Sequence, residues 1–472
     1  MRGQRPMLFL LALRGTGAMV EQDDEEFKLV KLPNTKCLDG SPAAYYIARN
    51  DSSPSWVVWL EGGGLCQSLQ DCIDRSKGTL GSSTTYAASI AAPEGMLSSV
   101  PSENPDLFSW NRIYVPYCSG DIWSGTEIEA VNPFPESSSW TGFFHGHAII
   151  EDMYNDITRK HNAAMATNAV LTGCSAGGIG TIFNCDYFAS LFPGAHVGCR
   201  PEAGWFGVPQ ASYPFFSSPA GPSSDPDPLH LMTSNWTYHI KPFQVNSSGG
   251  QRCAADVASG KLHIDHCEQQ KMGMASCCFL PTYSYAYSNT RMFMSENAAD
   301  AYQVFSQGQC PDHPDSCLAS VLDHESTSYW DYIRDSISAS LTQFVLSGPK
   351  RGQDGVFAPA WCAAIPTPPA HIPPAFLPPP SDRLDVRCGP GTRSLLHCMA
   401  HWQGPLTVKG KTDQQAFGDW FFGRGVDHML LDNNTSPYDL CECAKKAGVS
   451  ADDYLTCSMG GFRGTLNTRR VL

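Results

Sequence analysis

The segment Gly173-Cys-Ser-Ala-Gly177 places a serine, Ser175, where covalent chemistry is possible. A serine hydroxyl is a weak nucleophile until a base takes its proton and N–H donors receive the charge that builds on the attacked carbonyl oxygen. The Gly-x-Ser-x-Gly spacing suits a turn so sharp that the residues flanking the serine must be small. Such a turn lifts the serine above a sheet, with a helix N-terminus behind it that favours developing negative charge. Ala169-Val-Leu-Thr172 reads as the strand before the turn, and a helical pattern runs on to Leu191 after it. The five-residue pattern alone would equally describe a Gly-rich packing turn; the strand and helix around it favour the nucleophile.

A second element complements the first. Glu61-Gly-Gly-Gly64 follows the apolar run Trp56-Val-Val-Trp-Leu60, which reads as a buried strand ending in a loop. Glycines let backbone approach a substrate closely, so the N–H groups of Gly63 and Gly64, with that of Ala176, are candidates for an oxyanion hole. A phosphate-cradling loop is the alternative, but no Gly-Lys-Ser/Thr follows.

The elements that would position these residues alternate. Ile113-Tyr-Val-Pro-Tyr117 reads as a strand with Pro116 near its end, and apolar residues at 149, 150, 153, 154 and 157 follow a helical period. Met292-Phe-Met294 reads as a later strand. Strands separated by helices imply a mainly parallel sheet covered on both faces. Pro366 to Pro380 is too rich in proline for helix or central strand, so it is expected as an extended surface insertion without a catalytic role.

Composition narrows the function classes. The 472 residues are 42% hydrophobic and 17% charged, which suits a folded globular protein with a sizeable core. A formal net charge of −14 argues against a nucleic-acid binder, and no apolar run is long enough to span a membrane. The 19 cysteines show no repeated zinc spacing and read as disulfides of a secreted or lumenal protein, with an odd thiol left over. Sequons at Asn50, Asn235, Asn246, Asn433 and Asn434 agree with that compartment. Arg2 and Arg5 precede the apolar stretch Met7 to Leu13, and Thr16-Gly-Ala18 offers small residues for cleavage, so residues 1–18 are read as a signal peptide interrupted by Arg14.

Several longer motifs, in order, make the chain recognisable. They are Cys37-Leu-Asp-Gly-Ser-Pro-Ala-Ala-Tyr-Tyr46, Leu60-Glu-Gly-Gly-Gly-Leu-Cys66, Pro116-Tyr-Cys-Ser-Gly-Asp121 with Trp123-Ser-Gly125, Gly173-Cys-Ser-Ala-Gly-Gly178, Ala203-Gly-Trp-Phe206 and Gly418-Asp-Trp-Phe-Phe422. On these, the chain resembles the pectin acetylesterase/Notum family over nearly its whole length. Three consecutive glycines and a cysteine before Ser175 are more similar to plant pectin acetylesterases; animal Notum has Trp after two glycines, where this chain has Gly64.

The resemblance supplies what the residues alone do not. Asn297-Ala-Ala-Asp-Ala-Tyr-Gln303 is similar to the family's segment carrying the catalytic acid, which falls on Asp300. His397-Cys-Met-Ala-His401 is similar to the segment carrying the base, which falls on His401. The order Ser175, Asp300, His401 agrees with the hydrolase order. In such a triad His401 would take the serine proton and later donate it to the leaving alcohol, while Asp300 orients the imidazole. His371 and His428 are rivals for the base. The resemblance also implies disulfides Cys37–Cys118 and Cys66–Cys72. A Pro-rich stretch separates Phe357-Ala-Pro-Ala-Trp-Cys362 from His401, where the family runs almost directly on, and leaves the partners of Cys362, Cys388 and Cys398 open.

The expected architecture is thus α/β-hydrolase-like with lid insertions: a single carboxylesterase domain over 27–472, interrupted by the Pro-rich insertion at 363–396. The reaction implied is ester hydrolysis through an acyl-enzyme, with no metal or organic cofactor. The expected substrate is O-acetylated pectin or a related polysaccharide of the cell wall. A Notum-like removal of a fatty acyl group from a secreted protein is the runner-up, and an inactive secreted binding protein the third reading. The protein is expected to be extracellular and monomeric, with no nucleic-acid partner and no membrane span.

Overall fold

The structure, a computed structural model, describes residues 26–66, 68–93, 95–134, 138–206, 247–264, 277–298, 300, 337–348, 350, 352–359, 398, 408–425 and 427–431. The signal-peptide segment 1–18, the Pro-rich stretch at 363–396, His371, His401 and the sequons at Asn235, Asn246, Asn433 and Asn434 lie outside the described residues.

Ten strands form one sheet: β1 (Glu26–Lys36), β2 (Pro42–Ala48), β3 (Ser55–Leu60), β4 (Ser89–Ala91), β5 (Asn111–Val115), β6 (Asn168–Cys174), β7 (His196–Glu202), β8 (Phe293–Ser295), β9 (Gly355–Ala358) and β10 (Met429–Leu431). Their order is β10-β9-β8-β7-β6-β3-β5-β2-β1-β4. From β10 to β5 every neighbour is parallel; β2, β1 and β4 add an antiparallel margin. This is the mainly parallel α/β sheet expected from the alternation of strands and helices. The antiparallel margin is an addition that the sequence reading did not contain.

Among the described residues, the helices include α1 (Leu69–Arg75), α2 (Gly146–His161), α3 (Ala176–Leu191), α4 (Ser248–Ala258), α5 (Pro281–Ala286) and α6 (Asp413–Phe421). Side-chain alternation along the strands divides the core between two faces. Trp56, Val58 and Leu60 of β3 pack with Ile149, Ile150 and Met153 of α2 and Ile179 and Ile182 of α3. Val57 and Trp59 point the other way, into the cluster holding Phe417, Trp420 and Phe421 of α6. Burial on both faces explains why β3 reads as a continuous apolar run.

One buried charge network ties α6 to the sheet. Arg200 of β7, fully buried, donates to Glu202 Oε2 at 2.8 Å and to Ser295 Oγ at 3.0 Å, and pairs with Asp413 at the start of α6. Thr412 caps α6 with a capping box completed by Gln415.

Candidate active site

Because β3, β6, β7, β8 and β9 run parallel, their carboxyl ends emerge at one edge of the sheet, where open α/β folds form their ligand sites. The Gly-rich loop follows β3, Ser175 follows β6, Ala203 to Phe206 follow β7, and Glu296 to Asp300 follow β8. His428 precedes β10, which runs parallel to β9, so it sits at the opposite edge; its carbonyl accepts from Val356 N–H at 2.9 Å. The structure therefore does not bring this rival to Ser175.

Ser175 has φ 59° and ψ −121°, a conformation costly for a residue with a side chain. It is the N-cap of α3, half-buried, and its N–H donates to Glu202 carbonyl oxygen at 3.0 Å. The turn closes only because its neighbours are small. A Cβ on Gly173 would lie 2.5 Å from the Leu60 carbonyl oxygen, and one on Gly177 would collide with the same group. The N–H of Ala176, first residue of α3, belongs to the helix-start amides that have no acceptor within the helix.

The loop after β3 lies directly against this turn. A Cβ on Gly62 would be 2.6 Å from Cys174 carbonyl oxygen and 2.9 Å from Ser175 Cβ. Gly63 adopts φ +142° and Gly64 φ +68°, backbone that favours glycine. Arg75 of α1 grips the loop by donating from Nη1 to Gly63 carbonyl oxygen at 2.5 Å while its Nε donates to Asp71. Two disulfides hold the surroundings: Cys37–Cys118, and Cys66–Cys72, which ties the end of the loop to α1.

A bracket that the sequence reading quoted only as a motif supports the same loop. Trp123 donates from Nε1 to Glu61 carbonyl oxygen at 3.0 Å, and its side chain fills the space left by Gly180 of α3. Asp121, buried beneath, accepts from Ser119 Oγ and from the N–H groups of Trp123, Gly125 and Gly146 at 2.6–3.1 Å. Burial raises the Asp121 carboxyl above its usual range, and those donors partly offset the rise. Glu61 Oε2 accepts from Tyr117 N–H at 2.8 Å; burial likewise raises its carboxyl. Asp121 and Trp123 stood in a recognised motif, but nothing in their spacing said that they brace the glycines.

At the end of β8, Asp300 is fully buried and Glu296 nearly so. Glu296 Oε2 accepts from Trp205 N–H at 2.9 Å, and the Glu296 carboxyl lies against that of Asp300. His401, the residue expected to join Ser175 to Asp300, lies outside the described residues, but Cys398, three residues before it, does not. Cys398 is disulfide-bonded to Cys174, the residue before Ser175, with Cα atoms 5.8 Å apart. This bridge gives Cys398 the partner that the sequence left open. Among the described residues no group of His, Cys, Asp and Glu could hold a metal ion.

The pectinacetylesterase family pattern matches residues 19–213. Pectin acetylesterase 11 of Arabidopsis thaliana is 38% identical over 397 residues, 83% of this chain and 85% of that protein. Pectin acetylesterase 4 of the same plant is 32% identical over 285 residues, and the chain spans only 60% of its length. The palmitoleoyl-protein carboxylesterase notum1' of Xenopus laevis is 38% identical over 192 residues, 39% of this chain and 38% of that protein. In fold, the chain is similar to the solved structure of the Wnt deacylase Notum from Drosophila, with a TM-score of 0.54 at 22% identity, covering 71% of this chain and 84% of that one. The elbow at Ser175, the glycine loop packed on it and an alignment spanning most of both chains lead to one conclusion: the chain belongs to the pectin acetylesterase family.

Proposed function

We propose that this protein is a serine carboxylesterase that removes O-acetyl groups from pectin or a related cell-wall polysaccharide. The observation that carries the reading is the strained backbone of Ser175 at a strand–helix turn, with Gly62 packed against it. Ser175 attacks the acetyl carbonyl as His401 takes its proton. The oxyanion is received by N–H groups of Gly63, Gly64 and Ala176. His401 then protonates the departing sugar oxygen, which leaves as a hydroxyl, Asp300 steadies the imidazolium, and water releases acetate from the acyl-enzyme. Support for His401 comes from Cys398, whose bond to Cys174 ties the chain three residues before that histidine to the nucleophile turn.

The plant relatives favour the acetyl-polysaccharide substrate, since the alignment to Pectin acetylesterase 11 spans 85% of that protein and the alignment to notum1' only 38%. Removal of a fatty acyl group from a protein is the second reading, favoured by the match to the latter. An extracellular or cell-wall location is supported by disulfide bonding of every cysteine among the described residues. Among those residues, no helix is long and apolar enough to cross a membrane. A single carboxylesterase domain over 27–472 is part of the same proposal, supported by one ten-stranded sheet drawing strands from Glu26 to Leu431.

Acetate release from acetylated pectin by wild type and Ser175→Ala tests the assignment. The variant should fold, and lose at least about 10⁴-fold in kcat. Near wild-type turnover by the folded variant would remove Ser175 from the mechanism. Aryl esters of short and long acids, run side by side, separate the two substrate readings.

A further inference from the structure

Glu296 has no part in the reaction described above, yet it is buried beside Asp300. It is 1% exposed and Asp300 is 0% exposed. Their segment is pinned to the end of β9, where Glu296 N–H donates to Phe357 carbonyl oxygen at 2.9 Å and Ala298 N–H to Pro359 carbonyl oxygen at 3.1 Å. The Glu296 side chain is thereby held in one place. Its Oε2 accepts from Trp205 N–H at 2.9 Å. Among the described residues, its Oε1 meets no N–H or hydroxyl donor. The charged neighbour of this carboxyl is that of Asp300.

Two ionised carboxylates in contact away from water repel strongly, whereas one shared proton turns the contact into a short charge-assisted hydrogen bond. We propose that Glu296 is a positioning residue, whose protonated carboxyl donates from Oε1 to the Asp300 carboxylate and so fixes the direction in which Asp300 presents its remaining lone pairs. This rests on the reading of Asp300 as the acid of the triad.

The surroundings place the proton on Glu296. Burial first, then the neighbouring charge of Asp300 and the hydrogen bond to it, and last the charge of Glu202 on β7, all push its carboxyl far above the usual range. The Trp205 N–H alone opposes them. The nearby cation, Arg200, is engaged by Glu202 and Asp413. The proton-bearing oxygen is the one without another donor, so the hydrogen bond completes the Glu296 carboxyl.

Three variants test this. Glu296→Gln is neutral, nearly isosteric and keeps one acceptor for Trp205 and one N–H donor for Asp300, so kcat should stay within about threefold of wild type. Glu296→Leu removes the donor, and kcat should fall about 10- to 100-fold with KM little changed. Infrared spectra at neutral pH should show a protonated carboxylic acid band in wild type that is missing from the Gln variant. A folded Gln variant that loses more than about tenfold in kcat, a folded Leu variant with wild-type kcat, or absence of the band would each overturn the proposal. The Gln variant and the spectrum decide the matter even if Leu prevents folding. Asp300→Asn, run in parallel, keeps the two readings apart. If it is fully active, the triad assignment itself fails; if it is inactive while Glu296→Leu turns over normally, only the role of Glu296 is lost.

Discussion

Removing the Cys174–Cys398 disulfide should uncouple two effects that most disulfide deletions confuse. The bridge closes a chain separation of 224 residues. On a chain-entropy basis its loss destabilises the fold by about 5 kcal/mol. Cys253–Cys278 closes a separation of 25 residues between α4 and the segment before α5, for which the same relation gives about 3.5 kcal/mol. Only the first bridge touches the residue next to Ser175. With it intact, the chain between Cys398 and position 401 can reach at most about 11 Å from its anchor; without it, that tether is gone. A reacting group displaced by about 1 Å can cost about 10²-fold in rate. We therefore expect the Cys174→Ser/Cys398→Ser protein to lose about 10²-fold in kcat on an aryl acetate, with KM changed far less. The Cys253→Ser/Cys278→Ser protein should keep wild-type kcat despite its lower melting temperature. Both must be assayed well below their own melting transitions, verified by circular dichroism on the same samples. A folded Cys174→Ser/Cys398→Ser protein with wild-type kcat would refute the reasoning, and with it the main structural support for His401 as the base.

Two further outcomes follow from contacts already described. Gly62→Ala forces a methyl to within 2.6 Å of the Cys174 carbonyl, so the glycine loop must move off the nucleophile turn, and kcat should fall about 10²- to 10³-fold as oxyanion donors shift; unchanged steady-state kinetics would show that the loop supplies none of them. Arg200→Met leaves Glu202 and Asp413 buried without this cation, and urea unfolding should show a loss of about 3–5 kcal/mol; a loss under about 1 kcal/mol would refute that role for Arg200.

Much of the site was legible in the sequence because its parts are local. The nucleophile turn needs a strand, small residues around a serine and a helix, all within one short stretch, and each leaves a pattern: Ala169 to Thr172, the glycines at 173 and 177, and the apolar period to Leu191. The Gly-rich loop after Trp56 to Leu60 is local in the same way. Asp300 and His401 could not be proposed as acid and base from spacing, since such residues far along the chain would owe their meaning to where the strands end in space; only the resemblance to a family pointed to them. Strand order was equally silent. The antiparallel margin from β1, β2 and β4 depends on which edge of the sheet remains open, and that no single segment encodes.

By itself, then, the sequence determined the sharp turn at Ser175, the Gly-rich loop and the layered α/β class, because sterics and periodicity act between near neighbours. Tertiary structure alone decided the rest. It set His428 at the edge away from Ser175, and placed Trp123 between Gly180 and the glycine loop. It also joined Cys398 to Cys174 and brought Glu296 against Asp300 in a site without water-facing surface. Apart from the last, in which Glu296 and Asp300 stand four residues apart in one segment, each joins segments that only packing brings together.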